Sequence, residues 1–167
     1  MGYLNHVSRF RLLPHAAEAI RKLNDAGLLA IAVTNQSGVG RGYFPESLVQ
    51  MVHELMTQQL AAAGARLDAI YYCPHSSAEG CGCRKPKTGM LDRAAAEHAI
   101  DLRKSFVIGD RHGDVELAHR AGAKSILVRT GYGEGEYLWN GSKWTLQPDF
   151  VAADLADAVQ WILRPGK

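Results

Sequence analysis

Cysteine is scarce in this sequence: there are only three, and all lie in the eleven positions from Cys73 to Cys83. An odd number of cysteines, two of them one residue apart, does not suit the disulfide framework of a secreted domain and predicts a reducing, cytoplasmic setting. Long apolar runs are also lacking. The longest, Leu28 to Val33, is far too short to cross a bilayer, and the N-terminus lacks the layout of a signal peptide.

An excess of charge of one sign is lacking as well. The formal net charge of +2 is too small to indicate a nucleic acid or an anionic membrane as partner. With 47% hydrophobic and 22% charged residues, the 167 residues suit a globular protein with a real core. We therefore expect one domain over residues 1–167, acting as an enzyme or as a binding module.

Predicted strands and helices alternate along the chain. Apolar patterning predicts helices at 14–27, 45–63, 90–99, 114–121 and 155–163, and strands at 28–35, 68–73, 105–110 and 125–131. The first strand is apolar throughout, as in a strand buried on both faces. A glycine-rich loop is expected at 38–42, and a loose stretch with Gly, Trp and Asn before the last helix. This order predicts a parallel sheet between two helical layers, with the ligand beyond the carboxyl ends of the strands.

The cysteine cluster has the spacing of a metal site. Cys73-x-His75 and Cys81-x-Cys83 form two pairs of near-adjacent donors. Three thiolates and one imidazole suit tetrahedral Zn²⁺, and a closed set of four protein ligands is the structural kind. A disulfide would leave one thiol over, and an iron–sulfur cluster usually takes four cysteines. Three incidental thiols are the remaining alternative to a zinc-binding loop over residues 73–83.

Two further clusters suit a phosphate. The stretch "VTNQSGVGRG" offers hydroxyls, amides and glycine N–H groups, although an ordinary polar loop explains it nearly as well; its polar members are Thr34, Asn35, Gln36 and Ser37. Arg84, Lys85 and Lys87 follow the zinc loop directly. They form either a solvated basic turn or a set of cations that the zinc loop aims at a phosphate.

Two aspartates follow the third predicted strand. Asp110 lies at its carboxyl end, and Asp114 lies at the start of the next helix. Two carboxylates there suit Mg²⁺, which takes oxygen ligands and keeps waters that a phosphate can replace. For Asp114 a helix cap is an equally good interpretation. For Asp110 we favour the metal, because a carboxylate at the end of a buried strand needs a partner.

Taken in order, "VTNQSG", "CPH…CGCRKP" and "VIGDRHGD" resemble the haloacid-dehalogenase-type (HAD) phosphatases. The zinc loop followed by "CRKPKTGM" is similar to one branch of them, which contains D-glycero-D-manno-heptose 1,7-bisphosphate phosphatase and histidinol-phosphatase. The resemblance covers most of the chain, from "GYL" near the start to the last helix. It implies a three-layer α/β/α HAD-like (Rossmannoid) fold without a large cap domain, a monomer, catalytic Mg²⁺ and structural Zn²⁺.

The resemblance also implies the reaction and the roles of individual residues. The reaction is hydrolysis of a phosphorylated sugar at the C-7 phosphate of the heptose bisphosphate, in the synthesis of lipopolysaccharide core precursors, with histidinol phosphate as the alternative substrate. Thr34 and Asn35 would bind the transferred phosphoryl group, Lys85 would neutralise charge, and Asp110 would hold Mg²⁺. The further implied residues are Gln36, Ser37, Arg84 and Arg111 for substrate binding and Asp114 as a second candidate Mg²⁺ ligand.

One family motif is absent from the 167 residues. The nucleophile of the family lies in an Asp-x-Asp-Gly motif on the first, central strand, and the chain begins with Met1-Gly2-Tyr3 just downstream of it. There the first aspartate forms an aspartyl-phosphate and the second acts as acid and base. We expect either a chain whose start is placed too far downstream, or a short zinc-stabilised binding domain without turnover. The missing strand would leave a gap between the "AIAVT" and "FVIGD" strands.

Overall fold

A computed structural model describes residues 2–165 of the chain. Met1 and residues 166 and 167, where the expected domain begins and ends, lie outside the described residues. Helices and strands alternate as predicted, in the order α1 (Ala16–Asp25), β1 (Ile31–Asn35), α2 (Ser37–Gly40), α3 (Glu46–Ala62), β2 (Ala69–Cys73), α4 (Gly89–His98), β3 (Phe106–Gly109), α5 (His112–Ala121), β4 (Lys124–Val128), α6 (Gly133–Asn140), β5 (Phe150–Ala152) and α7 (Leu155–Ile162). The chain divides into two compact units between Arg84 and Lys85.

The N-terminal unit contains a sheet of two parallel strands. β1 and β2 pair in a register that sets Asn35 opposite Cys73. The carboxyl ends of both strands therefore lie at the same edge of this sheet, where the "TNQSG" and "CPH" segments begin. Phe44 packs with Leu48 and Val49 of α3 in a buried apolar cluster of this unit.

Two predictions for the N-terminal unit were wrong. The first strand is neither as long nor as buried as expected, since its five residues are all half-buried and Leu28 and Leu29 are exposed. β1 is the end strand of its sheet, so it pairs with another strand on one side only. The glycine-rich segment is also not a plain loop, because Ser37–Gly40 form one short helix. A Cβ at Gly38 would lie 2.3 Å from the Phe44 ring, so only glycine permits this close packing.

The C-terminal unit contains a parallel three-stranded sheet in the order β3-β4-β5. One apolar cluster here joins β4 and β5 to α7, where the Trp161 ring stacks on Phe150 with ring centroids 4.9 Å apart. The prediction of a loose stretch before α7 was wrong, because α6 and β5 form there. α6 includes Gly133 and Gly135, which are poor helix formers, and β5 has only three residues.

The part of the chain that the structure describes has an α/β fold with parallel sheets and no large cap domain, as predicted. The described strands form two separate parallel sheets. β1 and β3, which were expected to flank an absent central strand, are each at the end of their own sheet. That a central strand of the family is missing between β1 and β3 stays a prediction. Within residues 2–165, no helix has both the length and the apolar character that a membrane span requires.

Candidate metal and phosphate sites

The four predicted zinc ligands come together in the N-terminal unit. Their donor atoms, three Sγ and the Nδ1 of His75, all lie within 4.8 Å of one another. Cys73 Sγ is 3.5 Å from Cys81 Sγ and 3.6 Å from His75 Nδ1, while Cys83 Sγ is 3.3 Å from His75 Nδ1 and 3.5 Å from Cys81 Sγ. Zinc–sulfur bonds of about 2.3 Å in a tetrahedron set sulfur atoms about 3.8 Å apart, so the cluster fits this metal.

The disulfide alternative does not hold for this structure. None of the three cysteines forms a disulfide, and sulfur–sulfur separations of 3.5 Å far exceed a bond of about 2.05 Å.

Without metal, burial raises the pKa of the Cys73 thiol to about 12. Burial also tends to raise the pKa of Cys81, but hydrogen bonds with Cys83 and Cys73 outweigh it and lower that pKa to about 7. Zinc takes thiolates, so its binding must release protons from this cluster.

The zinc loop is fixed to α2 by backbone contacts. The Gly40 N–H donates to the Pro74 carbonyl over 2.9 Å, and a Cβ at Gly40 would lie 2.7 Å from the Ser76 nitrogen. Within the loop, the Ser76 N–H donates to Glu79 Oε1 over 2.6 Å. Gly80 then takes a φ of +63°, which glycine adopts readily and which turns the chain toward Cys81. The loop therefore packs directly against α2, the short helix in which the "TNQSG" segment ends.

The predicted phosphate-binding residues of β1 lie at the carboxyl end of that strand. Thr34 Oγ1 accepts a hydrogen bond from Gln36 Nε2 over 3.2 Å, and the Gln36 N–H donates to the Cys73 carbonyl over 2.7 Å. Ser37 is buried, and its hydroxyl lies 3.2 Å from the Tyr3 hydroxyl. Of this set, Thr34 and Asn35 occupy the strand end, and the side chains of Thr34, Gln36 and Ser37 all contact protein partners.

Arg84 is attached to the zinc loop. Its Nη1 donates to the His75 carbonyl over 3.3 Å. The backbone of a predicted zinc ligand thereby holds the arginine, as expected if the loop orients the cations that follow it. Lys85, the next residue, begins the C-terminal unit.

In the C-terminal unit, Lys85 pairs with Asp114. Lys85 Nζ lies 2.7 Å from Asp114 Oδ1, and the two side chains are 19% and 9% exposed. The other oxygen of Asp114 accepts the Arg111 N–H over 3.2 Å at the start of α5. Asp114 therefore caps the start of α5 and also forms an ion pair that the sequence did not predict, while its role as a Mg²⁺ ligand stays a prediction.

Asp110 lies directly after β3, as predicted. Its Oδ2 accepts the Tyr132 N–H over 2.9 Å, which fixes the orientation of the carboxylate. The turn after β4 passes very close to this group, since a Cβ at Gly131 would lie 2.2 Å from Asp110 Oδ2. An oriented carboxylate at a strand end has the hard oxygen donors that Mg²⁺ prefers.

Arg111 is held by two residues that the sequence did not indicate. Its guanidinium carbon lies 3.7 Å from the centroid of the Tyr132 ring, and its Nη1 lies 3.1 Å from Glu136 Oε1. Both partners belong to the stretch that was expected to be loose. The one available signal was that Tyr132 follows "RTG", the polar cluster at the end of the fourth predicted strand.

Gly131→Ala is expected to destabilise the protein by about 2 kcal/mol. The residue has a φ of +64°, and an added methyl group would meet the Asp110 carboxylate. Urea denaturation followed by circular dichroism measures the change. Gly135→Ala on α6 is the control, because a Cβ there meets nothing within 4 Å and should be neutral or slightly stabilising. Equal effects of the two substitutions would contradict the close approach.

Comparison with known proteins gives the family. A protein of Thermosynechococcus vestitus named D-glycero-D-manno-heptose-1,7-bisphosphate 7-phosphatase is 42% identical, over 97% of this chain and 88% of its own length. The chain belongs to the HAD-like phosphatases. The HAD-hydrolase-like family also matches residues 82–158. A Pseudomonas putida member named D-glycero-beta-D-manno-heptose-1,7-bisphosphate 7-phosphatase is 42% identical over 91% of this chain and 87% of its own.

A solved structure supports the same assignment. The D,D-heptose 1,7-bisphosphate phosphatase of B. bronchiseptica, complexed with magnesium and phosphate, has a TM-score of 0.88 and 33% identity, covering 96% of this chain and 88% of its own. Hydrolysis of phosphomonoesters is the activity of this HAD-like family. The resemblance found in the sequence is therefore confirmed.

Proposed function

We propose that this HAD-like phosphatase acts on the C-7 phosphate of D-glycero-D-manno-heptose 1,7-bisphosphate. The observation that carries the proposal is the 42% identity, over 97% of the chain, with a relative named for that reaction. The zinc-ligand cluster followed directly by Arg84 and Lys85 supports the same branch of the family. The 167 residues contain no Asp-x-Asp-Gly, so the proposal assigns attack on phosphorus to none of them.

Thr34 and Asn35 are the proposed phosphate-binding residues of the N-terminal unit. Thr34 offers a hydroxyl and Asn35 an amide at the end of β1, and both would donate hydrogen bonds to the transferred phosphoryl group. Gln36 and Ser37 are further candidate substrate contacts of the same segment. Arg84, held on the zinc loop by the His75 carbonyl, would contact the substrate.

Lys85 and Asp110 are the proposed charged functional groups of the C-terminal unit. Lys85 would neutralise the phosphate, and its ion pair with Asp114 keeps its ammonium group in one place. Asp110 would hold Mg²⁺, with Asp114 as a second candidate ligand, and bound Mg²⁺ supplies positive charge to the phosphoryl oxygens. A carboxylate fixed by the Tyr132 N–H is ready to bind a cation without losing further side-chain freedom.

Zinc would have a structural role at Cys73, His75, Cys81 and Cys83. Four protein donors close the tetrahedron and leave no position for substrate. Its contribution would be to stiffen the loop that holds Arg84, rather than to take part in the chemistry. A monomer in the cytoplasm, where thiols stay reduced, completes the proposal.

An assay with Mg²⁺ and three phosphate esters tests the proposed function. We expect a version extended by a strand carrying Asp-x-Asp-Gly to hydrolyse heptose 1,7-bisphosphate faster than histidinol phosphate or p-nitrophenyl phosphate. The 167 residues alone should not turn over any of the three. Turnover by these residues alone would show that the absent aspartate is not essential. A preference for histidinol phosphate would refute the substrate, and ligand binding without turnover by the extended version would support a binding domain.

A further inference from the structure

The segment from Tyr132 to Glu136, at the start of α6, contacts both functional residues after β3. We propose that Glu136 and the Tyr132 ring are positioning groups, which hold the Arg111 guanidinium ready to contact the substrate. The inference rests on the proposed function, because that function makes Arg111 a substrate contact. The inference adds two contacts to Arg111 that the sequence pattern does not reveal: the ion pair with Glu136 and the Tyr132 ring.

Arg111 needs such support because its side chain is long and about half exposed. Its relative exposure is 50%, and an arginine in that setting samples many rotamers at little cost. Two contacts from different directions restrict it: the Glu136 carboxylate lies 3.1 Å from Nη1, and the Tyr132 ring centroid lies 3.7 Å from the guanidinium carbon. The ion pair with Glu136 fixes the direction in which the guanidinium points, and the contact with the Tyr132 ring fixes the plane of the guanidinium.

Glu136 also contacts the backbone beside Arg111. Its Oε2 accepts the His112 N–H over 2.8 Å, at the first residue of α5. One carboxylate therefore holds both the side chain of Arg111 and the peptide that follows it. A negative charge at this position also favours the start of α5, where backbone N–H groups leave a partial positive charge.

Tyr132 links this arrangement to the predicted Mg²⁺ ligand. The backbone N–H of Tyr132 orients Asp110, while its ring supports Arg111. A single residue thereby fixes the two functional side chains relative to each other. Because Arg111 has five N–H donors, the bond to Glu136 leaves the guanidinium able to donate to a phosphate.

Glu136→Gln tests the inference, with Glu134→Gln as the matched control on the same helix. Glu134 pairs with Arg129, so it carries the same charge in a similar ion pair away from Arg111. The first measurement is the ¹⁵Nε–¹H relaxation of Arg111, assigned with Arg111→Lys. We expect a rigid signal in the unmodified protein and in Glu134→Gln, and a mobile one in Glu136→Gln.

The second measurement is calorimetric titration with heptose 1,7-bisphosphate and Mg²⁺, using the 167-residue chain. Glu136→Gln should weaken binding about fivefold, with no change for Glu134→Gln. In an Arg111→Met background, Glu136→Gln should have no further effect, because the group that it positions is gone. A merely structural role would weaken binding equally in both backgrounds.

Three results would overturn the inference: an Arg111 signal unchanged in Glu136→Gln, tighter binding by Glu136→Gln, or equal weakening with and without Arg111. Tighter binding would mean that Glu136 competes with the ligand for the guanidinium. If the unmodified 167-residue chain does not bind the bisphosphate at all, the substrate contacts proposed for these residues fail. The relaxation comparison then still decides by itself whether Glu136 holds Arg111.

Discussion

Cys81→Ser is expected to abolish stoichiometric zinc binding and to lower the stability of the protein. The four donor atoms lie within 4.8 Å of one another, so each of them can serve as a ligand of one tetrahedral site. A serine hydroxyl is a poor zinc ligand, and three remaining donors leave the metal open to water and to chelators. Metal binding to the folded state contributes about 4 kcal/mol when free zinc is a thousandfold above its dissociation constant.

Metal analysis and urea denaturation measure this effect together. We expect one zinc per chain in the unmodified protein and almost none in Cys81→Ser. A chelator should destabilise the unmodified protein by the same amount and leave Cys81→Ser unchanged. Ser77→Ala, in the same loop but outside the cluster, should keep its zinc. Less than one zinc per chain in the unmodified protein would refute the structural zinc site.

Lys85→Met is expected to destabilise the protein by about 3–5 kcal/mol, because it leaves the buried Asp114 carboxylate without its cation. The ammonium group lies 2.7 Å from Asp114 Oδ1, and neither side chain is much exposed. The Arg111 N–H then remains as a hydrogen-bond donor to this carboxylate. Urea denaturation measures the loss.

A second substitution separates loss of the pair from loss of packing. Asp114→Asn in the Lys85→Met background should recover part of the stability, because an amide oxygen can still accept the Arg111 N–H and no unpaired charge remains. Lys87→Met, at an exposed lysine two residues away, is the control and should change stability by less than about 0.5 kcal/mol. A loss of under about 1 kcal/mol in Lys85→Met would contradict the importance of the ion pair.

The zinc site could be predicted because its information is local. Its four ligands lie within eleven residues, and the alternating spacing of Cys73, His75, Cys81 and Cys83 already implies two clamps. The strand ends could be placed for a similar reason, since apolar runs end where "TNQSG" and "GDRHGD" begin. Asp110 followed from its position after one such run.

The Lys85–Asp114 pair could not be predicted, because the two residues are far apart in the chain and no periodic pattern relates them. The sequence predicted Lys85 as a cation for the phosphate and Asp114 as a helix cap or Mg²⁺ ligand, whereas the folded chain joins the two in one ion pair. Tyr132 and Glu136 were missed for another reason. Glycines within α6 obscured the helix, so nothing in the local pattern indicated that these residues would reach the turn after β3. The limited burial of β1 depends on which strands lie beside it, which is a tertiary property.

The hydrogen bond from Gly40 to the Pro74 carbonyl joins the zinc loop to the segment that carries Thr34 and Asn35. If the cluster holds zinc, loss of the metal would therefore loosen the segment that we propose to bind phosphate. In a cell starved of zinc, we expect chains that still have most of their secondary structure but bind phosphate esters poorly. Zinc returned to such chains should restore binding without new synthesis, so that the metal supply of the cell sets the fraction of competent protein.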